Sequence, residues 1–375
     1  MKICIIATHY LPHIGGLELA TYHLAHQLTT LGHEVHVITP QDSASAEKNP
    51  DKIIVHRIPI LGYPNGLPAL VFLKGLVFFK RAMQCIEEID PDIIHSQNIT
   101  NSVPAHIAGK KRNIPYVICI HGNLELMGPF LPPILKKRWP KLPYIKNADK
   151  IIVLTKDMAS TIKTQLGTTP EVIPNGVDTD RFYPNITPNI SLKNPNIICL
   201  SRIDDKKGLE YAIESMTIVQ KLHPNTKMNI VGDGEYREKL ERLVDKYQLN
   251  DTVRFTGLVQ NREVPSILRS ADIFLLPSLY EGLPLSLLEA MACGLPIIST
   301  PVSIVPEIIA EWKNGIMVPF KSPEKIADAI LTLINNSNMR LECSTQSSKA
   351  ARESHSWTLI AKKYEKLYHE IITSK

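Results

Sequence analysis

The sequence lacks the features of several large protein classes. Its six cysteines, at positions 4, 85, 119, 199, 293 and 343, form no CxxC pair, which argues against a disulfide framework and favours buried thiols in a reducing compartment. The N-terminus, MKICIIATHYLP, reads as a first strand and not as a signal peptide. The longest apolar stretch, residues 67–79, contains Lys74 and is too short to span a bilayer. We therefore expect a cytoplasmic protein.

Signatures of common nucleotide and metal sites are also missing. The chain contains neither a GxxxxGKS/T phosphate loop nor a GxGxxG dinucleotide fingerprint, and it has no HExxH or similar ligand set. The missing glycine fingerprint argues against a Rossmann dehydrogenase. We expect the protein to need neither a metal nor a cofactor.

The composition is that of a soluble globular protein with two domains. Of its 375 residues, 44% are hydrophobic and 21% are charged, and the chain is too long for one ordinary core. The net charge is only +5, but residues 110–163 carry eleven Lys and Arg against three acids. An anionic lipid surface, an anionic substrate or nucleic acid would suit this excess, and so would a solvated basic face.

Short apolar strands alternate with helices along the whole chain. The predicted strands are KICIIAT, EVHVIT, IIVHRI, DIIHS, YVICIHG, KIIVLT and EVIPNGV in the first half, and NIICLS, MNIVG, VRFTG, IFLLPS, PIIST and GIMVP in the second. Strands that are almost entirely apolar and separated by helices form parallel sheets covered on both faces. The fold class is therefore α/β with two parallel sheets, and we expect ligands at the carboxyl ends of the strands, in a cleft between the domains.

The break between the domains is predicted in residues 182–196, a segment rich in Pro and Asn without periodicity. We expect an N-terminal domain over 1–185 and a C-terminal domain over 192–355. Residues 356–375 form an amphipathic helix whose apolar stripe must pack on a surface that is already folded.

Two loops of the first half carry residues suited to chemistry. Gly15 and Gly16 precede a helix and let backbone amides approach an anion, although a plain tight turn would use the same glycines. His121 stands at the end of a buried strand and is followed by Gly122, which favours a functional role over core packing.

Two loops of the second half are suited to a diphosphate. Arg202 and Lys207 follow the strand NIICLS, and an arginine fork beside a lysine point charge matches two phosphates, with ordinary surface cations as the alternative. In VGDG, Gly232 and Gly234 are expected to let a ligand lie close to the backbone.

The segment YEGLPLSLLEAMACG (280–294) places two acids around one helix start. Glu281 lies in the loop and Glu289 about a turn and a half into the helix, with Pro284 in the first turn and Gly294 closing it. Because the helix start attracts a phosphate, the acids are expected to flank it and to accept hydrogen bonds from neutral hydroxyls. A diphosphate between hydroxylated groups is a nucleotide sugar.

Seven motifs, in one order, resemble those of the retaining, nucleotide-sugar-dependent glycosyltransferases of the GT-B fold, family four (glycosyltransferase group 1). They are Gly15-Gly16-x-Glu18, His121-Gly122, VIPNGVDTDRF (172–182), SR…KG (201–208), VGDG, FTG (255–257) and E-G-L-P…E-A-M-A-C-G-x-P (281–296). The resemblance implies two Rossmann-like domains facing a central cleft, with the C-terminal helix crossing back to the acceptor-binding N-terminal domain.

The resemblance also implies residue roles. Glu281 contacts hydroxyls of the donor sugar, Glu289 contacts the ribose, and His121 lies by the reacting sugar. Arg202 and Lys207 neutralise the diphosphate, so that the implied catalytic residues are His121, Arg202, Lys207 and Glu281. The rest of the donor site consists of Gly15, Gly16, Gly232, Gly234, Gly282, Leu283, Pro284 and Glu289. The acceptor side is assigned to Glu18, Asn123 and Glu125.

The implied reaction moves a hexosyl or N-acetylhexosaminyl group from a UDP- or GDP-linked donor to a hydroxyl, with retention and without a metal. A glycan or lipid-linked acceptor of the cell envelope is expected, and no nucleic acid. A GT-B epimerase and a non-catalytic nucleotide-sugar-binding protein are the alternatives. Residues 67–79 and the basic run 132–146 suit contact with an anionic membrane at its inner face, and they also suit a packed helix with a solvated rim.

Overall fold

The structure is a computed structural model that describes residues 1–12, 15–41, 52–59, 68–122, 143–184 and 194–375. The chain forms two compact units. The first consists of Met1–Asn175 and Trp357–Lys375, and the second of Gly176–Ser356.

A seven-stranded parallel sheet forms the centre of the first unit. Its strands are β1 (Lys2–Ile6), β2 (Glu34–Gln41), β3 (Ile54–Pro59), β4 (Ile93–Ser96), β5 (Tyr116–Ile120), β6 (Lys150–Val153) and β7 (Glu171–Val172). They are ordered β3-β2-β1-β4-β5-β6-β7. The helices between them are α1 (Gly16–Thr30), α2 (Pro68–Ile89), α3 (Ser102–Arg112), α4 (Pro143–Lys146) and α5 (Lys156–Leu166).

A six-stranded parallel sheet forms the centre of the second unit. Its strands are β8 (Asn196–Leu200), β9 (Lys227–Val231), β10 (Val253–Gly257), β11 (Ile273–Leu276), β12 (Ile297–Ser299) and β13 (Gly315–Met317), ordered β10-β9-β8-β11-β12-β13. The helices are α6 (Leu209–Leu222), α7 (Arg237–Lys246), α8 (Val264–Arg269), α9 (Leu285–Ala292), α10 (Val305–Trp312), α11 (Pro323–Asn335) and α12 (Ser337–Ser354). Short 3-10 helices cover Asp205–Lys207 and Asn261–Glu263.

The α/β prediction and the two parallel sheets are confirmed. All residues of β4 and of β11 are buried, because helices cover both faces of each sheet. The predicted strand EVIPNGV is shorter than expected. It ends at Val172, since Pro174 has no N–H to continue the ladder.

The terminal helix α13 (Trp357–Thr373) belongs to the first unit, as predicted. The ring of Trp357 stacks on that of His23 in α1, with the centroids 5.8 Å apart. Glu365 lies 2.8 Å from His33 Nε2. The apolar stripe of this helix therefore packs on the first unit, although it follows the second unit in sequence.

The division between the units falls after Asn175, upstream of the boundary expected at 182–196. Residues that follow the division contact the second unit. The Val177 N–H donates to the His355 carbonyl oxygen at 2.7 Å, and Arg181 donates to the side-chain oxygen of Asn261 at 3.1 Å. Low periodicity in a sequence marks a stretch between regular elements, whereas the division between the units follows these contacts.

Candidate active site

Each sheet has one point where the strand order reverses. In open parallel sheets, ligands bind at this point, outside the carboxyl ends of the strands. In the second unit this point lies between β8 and β11, which are neighbours in the sheet. The loop after β8 carries Arg202 and Lys207, and the loop after β11 carries Glu281. The fold therefore places three predicted site residues on the two loops at this point.

Lys207 and Glu281 form an ion pair between these loops. The Lys207 Nζ lies 2.9 Å from each carboxylate oxygen of Glu281. The Ser278 hydroxyl donates a further hydrogen bond of 2.6 Å to Glu281 Oε1. Only 18% of the Lys207 side chain and 8% of the Glu281 side chain are exposed, so the pair is held away from bulk solvent. Sequence reasoning missed Ser278, although it is the last residue of the predicted strand IFLLPS.

The backbone holds the same two loops together. The Leu279 N–H donates to the Lys206 carbonyl oxygen at 2.7 Å. Gly208 has a φ of +59°, and a Cβ at this position would lie 2.3 Å from the Pro277 carbonyl oxygen. Only glycine meets both demands, so Gly208 allows the loop of Lys207 to lie against the loop of Glu281.

Arg202 contacts a different acid. Its Nε and Nη2 lie 3.3 Å from Asp204 Oδ2, and 79% of its side chain is exposed. Asp204 also accepts from the Lys206 N–H at 3.0 Å and caps the 3-10 helix that ends at Lys207. The structure thus brings Lys207 to Glu281 and leaves the Arg202 guanidinium open to solvent on the same loop.

Gly232 and Gly234 lie against the backbone of the loop that carries Arg202. A Cβ at Gly232 would lie 1.9 Å from the Ser201 carbonyl oxygen, and one at Gly234 would lie 2.1 Å from that of Ile203. Gly232 also has a φ of +130°. The packing of two adjacent loops is therefore enough to require these glycines, whereas the expected approach of a ligand stays a prediction.

The helix α9 begins after Pro284. With φ −71° and ψ 118°, Pro284 is the extended N-cap residue and does not lie in the first turn, which corrects the sequence prediction. Gly282 accepts a hydrogen bond from the Ser303 hydroxyl through its carbonyl oxygen, and Leu283 is buried. Gly294 has a φ of +74° directly after the C-cap residue, as expected for the glycine that ends a helix.

Glu289 lies on α9 and is mostly buried. Burial raises the pKa of Glu289 to about 7 from 4.5, and the positive charge of Arg181 acts in the opposite direction. At neutral pH, without a ligand, the carboxyl group is therefore partly protonated. The pattern of the sequence did not predict this protonated fraction, because burial of a helix side chain by neighbouring elements cannot be read from local spacing.

In the first unit, the helix α1 begins at the glycine pair. Gly15 is its N-cap residue and Gly16 its first residue. A Cβ on Gly15 would lie 2.4 Å from Glu18 Oε2, whereas a Cβ on Gly16 would meet no atom of the described residues within 4 Å. The carboxylate of Glu18 thus folds back to the helix start, where a negative charge is favourable, and the space at Gly16 is open. The assignment of Glu18 to the acceptor side stays a prediction.

His121 directly follows β5 and contacts Gln97, which directly follows β4. The His121 Nε2 lies 2.5 Å from Gln97 Oε1. Burial lowers the pKa of His121 to about 4, so that the ring is neutral at physiological pH. Sequence reasoning missed Gln97, although its place after a buried strand is the same signal that identified His121. Asn123 and Glu125 lie outside the described residues.

Two features are absent from the residues that the structure describes. No cluster of three or more His, Cys, Asp or Glu is arranged to hold a metal ion in this part of the chain. The described helices also include none with the length and hydropathy needed to cross a membrane.

Comparison with known proteins identifies the family. The family model for Glycosyltransferase Family 4 matches residues 14–181, and the model for Glycosyl transferases group 1 matches residues 186–350. Alpha-monoglucosyldiacylglycerol synthase of Acholeplasma laidlawii is 27% identical, over 99% of this chain and 98% of its own. The putative colanic acid biosynthesis glycosyltransferase WcaL of Salmonella typhimurium is 33% identical, over 48% of this chain and 47% of its own.

Solved structures show the same fold. Sucrose-phosphate synthase from Thermosynechococcus elongatus has a TM-score of 0.85 at 20% identity, with 100% of both chains covered. Alr3699/HepE from Anabaena, in complex with UDP and glucose, has a TM-score of 0.79 at 18% identity, with 98% of this chain and 99% of that chain covered. The chain therefore belongs to the nucleotide-sugar-dependent glycosyltransferases of the GT-B fold, family four (glycosyl transferases group 1).

Proposed function

We propose that this glycosyltransferase moves a hexosyl or N-acetylhexosaminyl group from a UDP- or GDP-linked donor to an acceptor hydroxyl, with retention at the anomeric carbon. The observation that carries the proposal is the Lys207–Glu281 pair at the point where the second sheet reverses its order. One group suits a phosphate and the other suits sugar hydroxyls, and the two are one hydrogen bond apart.

The donor diphosphate is placed on Lys207, Arg202 and the start of α9. Glu281 holds the lysine ammonium group, and an ammonium has three N–H donors, so a phosphate oxygen has a donor available as well. The exposed guanidinium of Arg202 supplies a planar fork. No side chain caps α9 within the described chain, and the uncapped N–H groups of a helix start bind anions.

The two glutamates are placed on the hydroxyl groups of the donor. Glu281 accepts hydrogen bonds from the sugar, and Glu289 accepts them from the ribose after it has lost its proton. Because the pKa of Glu289 is about 7, binding of the ribose to the ionised form is accompanied by proton release below that pH. His121 contacts the reacting sugar, as the family resemblance implies.

In the reaction, the bond between the anomeric carbon and the diphosphate oxygen breaks, and the sugar passes through an oxocarbenium-like state. The electron pair of that bond goes to the diphosphate, where Lys207, Arg202 and the helix dipole stabilise the negative charge. The acceptor hydroxyl attacks from the face that the diphosphate leaves, and a phosphate oxygen takes its proton. We propose that these cations replace a metal, and that activity survives an excess of chelator.

The acceptor is proposed to be a lipid-linked or polysaccharide substrate at an anionic membrane surface, on its cytoplasmic side. The names of the two relatives above refer to a diacylglycerol lipid and to colanic acid. In the basic region 110–163, Lys110, Lys146 and Lys163 are exposed. Two neighbours are already paired, because Lys111 contacts Glu87 at 2.8 Å and Arg112 contacts Asp90 at 3.0 Å.

A thermal-shift screen with UDP-glucose, UDP-N-acetylglucosamine and GDP-mannose tests the donor. A ligand at 100 times its dissociation constant adds about 2.7 kcal/mol to the stability of the folded state. Proton NMR of the product then reports the anomeric configuration, and release of free nucleoside diphosphate separates a transferase from an epimerase. No shift with any donor would contradict the proposed donor class.

Co-sedimentation with vesicles tests the proposed contact with an anionic membrane. We expect binding to vesicles that contain phosphatidylglycerol at low salt and its loss at high salt, because screening weakens the attraction of basic side chains to an anionic surface. Vesicles of phosphatidylcholine alone serve as the control. Equal binding to both compositions, or none to either, contradicts the electrostatic surface contact.

A further inference from the structure

Gln97 is a buried polar residue in the first unit that none of the proposed reaction steps uses. Only 1% of the residue is exposed. It stands directly after β4 and contacts His121, which stands directly after β5, the neighbouring strand of the sheet. The contact joins Gln97 Oε1 to His121 Nε2 over 2.5 Å.

The backbone around Gln97 is held firmly. Its N–H donates to the Ile6 carbonyl oxygen at 3.0 Å, which continues the pairing of β1 with β4. The Asn98 side-chain amide that follows it donates to the Thr8 hydroxyl at 2.6 Å. Asn101 donates to the same hydroxyl at 3.1 Å and to the Ile6 carbonyl oxygen at 3.3 Å. Gln97 therefore presents its side chain from a segment tied to the next strand.

Two residues that lie earlier in the same two strands, on the same face of the sheet, also make polar contacts. His95 and Cys119 lie two residues before Gln97 and His121, and alternate residues of a strand share a face. The His95 Nδ1 lies 2.5 Å from the Tyr368 hydroxyl, and the Cys119 thiol lies 3.5 Å from the Tyr364 hydroxyl, both on the terminal helix α13. The Gln97–His121 pair thus continues a row of polar contacts beneath that helix.

The contact with Gln97 selects one form of the His121 ring. A neutral imidazole has one N–H and one nitrogen with a lone pair. A carboxamide oxygen only accepts hydrogen bonds, so the nitrogen that meets it must carry the proton. Nε2 is therefore the donor, and Nδ1 is the nitrogen that can accept a hydrogen bond from a hydroxyl.

We propose that Gln97 is a positioning residue for the transfer reaction, because it holds His121 in the Nε2–H tautomer and in one ring orientation. This proposal rests on the proposed function, in which His121 contacts a hydroxyl-bearing sugar. Without Gln97 the ring samples both tautomers, and in the wrong one it presents a donor where an acceptor is needed.

Two substitutions separate this role from simple packing. Gln97→Met keeps a side chain of similar length and removes the acceptor, and Gln97→Glu keeps an acceptor oxygen. The matched control is Gln27→Met in α1, because Gln27 makes a similar but exposed contact, with Thr358 at 3.3 Å. Thermal unfolding of each variant checks that the fold persists.

The first measurement is independent of activity. Long-range proton–nitrogen NMR spectra of protein labelled with ¹⁵N-histidine distinguish the two neutral tautomers, and His121→Gln identifies the signal by its loss. We expect the Nε2–H tautomer in the wild type, in Gln27→Met and in Gln97→Glu, and a mixture in Gln97→Met. An Nδ1–H wild type, or an unchanged Gln97→Met spectrum, overturns the proposal.

The second measurement is the rate of nucleoside diphosphate release from UDP-glucose and GDP-mannose. We expect kcat of Gln97→Met to fall by about 10-fold to 100-fold, by analogy with histidines oriented by a hydrogen-bonded neighbour, with KM for the donor nearly unchanged. Gln97→Glu should recover most of the loss at about pH 8, where the ring is neutral. An unchanged kcat with an altered tautomer overturns the positioning role. If the wild type is inactive on both donors, that result counts against the proposed function. The NMR spectra then test by themselves whether Gln97 sets the tautomer of His121.

Discussion

The ammonium group of Lys207 lies 2.9 Å from both carboxylate oxygens of Glu281, although the two residues are 74 positions apart in sequence. They meet because β8 and β11 are adjacent parallel strands whose following loops emerge at the same edge of the sheet. We propose that Lys207 binds a phosphate and Glu281 a sugar hydroxyl, and the following substitutions test what the pair and its surroundings do.

Lys207→Ala should lower kcat by about 10²–10³, the cost of removing one group that stabilises charge in a transition state. The substitution also leaves Glu281 with Ser278 as its remaining side-chain partner in the described chain. The measurement is turnover of the donor found in the thermal-shift screen. Lys206→Ala is the control, because Lys206 is the adjacent, exposed lysine of the same loop. Equal turnover in both variants would remove Lys207 from the phosphate site.

Glu289→Gln should change how stability depends on pH. Since the pKa of Glu289 is about 7 in the folded protein and 4.5 as an ordinary side chain, the folded state holds the proton more tightly than the unfolded chain. Ionisation of Glu289 therefore costs stability, and the cost grows as the pH rises from 4.5 to about 7 and stays constant above it.

Glutamine does not titrate, so Glu289→Gln escapes this cost. Its free energy of unfolding should rise relative to the wild type by up to about 3 kcal/mol from acidic to alkaline pH. Urea unfolding at about pH 5 and about pH 8 measures the change. Glu324→Gln, at an exposed position on α11, is the control substitution. A constant difference for Glu289→Gln would mean that the carboxyl group is not desolvated.

Tyr368→Phe should destabilise the fold by about 1–3 kcal/mol, because it leaves a buried polar group without its partner. The Tyr368 hydroxyl contacts His95 Nδ1, and no described residue forms a hydrogen bond with the other nitrogen of this fully buried ring. Burial also lowers the pKa of His95 to about 3, so the ring cannot compensate by gaining a charge at neutral pH. Urea unfolding measures the loss.

The control for this substitution is Tyr183→Phe, which removes the same atom from a ring that is 50% exposed. We expect this variant to stay within about 0.5 kcal/mol of the wild type, as most surface substitutions do. Equal effects of the two substitutions would show that the contact between α13 and β4 contributes nothing to stability.

Gly16→Ala should separate stability from activity. A Cβ at Gly16 meets no atom within 4 Å in the described part of the chain, so the fold tolerates it and gains about 0.4–1 kcal/mol from the lower entropy of the unfolded chain. If a phosphate occupies that space, the methyl group displaces it, and a shift of about 1 Å costs about 10²-fold in rate. The control is Gly75→Ala, which should leave the rate unchanged, because a Cβ at Gly75 also meets no described atom within 4 Å. Full activity of Gly16→Ala would show that no phosphate occupies the space at Gly16.

The sequence was sufficient for the fold because the evidence for parallel strands is local. A run such as IFLL or YVICI is apolar throughout, and that pattern indicates a strand covered on both faces. The thirteen predicted strands all occur. The seven motifs and their order indicated the family for the same reason, since each motif is a short stretch that can be recognised without knowing its neighbours in space.

Residue pairs across strands required the tertiary structure. The sequence indicated that Lys207 and Glu281 belong to one site, but only the strand order shows them in contact. Gly232 and Gly234 were predicted to let a ligand lie close to the backbone, whereas the backbone of the neighbouring loop already requires glycine at both positions. Pro284 was predicted to lie in the first turn of its helix, whereas it is the N-cap residue. Its ψ angle decides between the two positions, and the sequence pattern does not reveal that angle.

The sequence by itself thus determined the class of fold, the family and the loops that carry the site, since each depends on residues close together along the chain. Only the tertiary structure decided that Glu289 titrates near neutrality and that Gln97 meets His121. The physical reason is the same in each case. Burial and hydrogen bonding depend on which strands and helices become neighbours, and that is decided when the whole chain has folded.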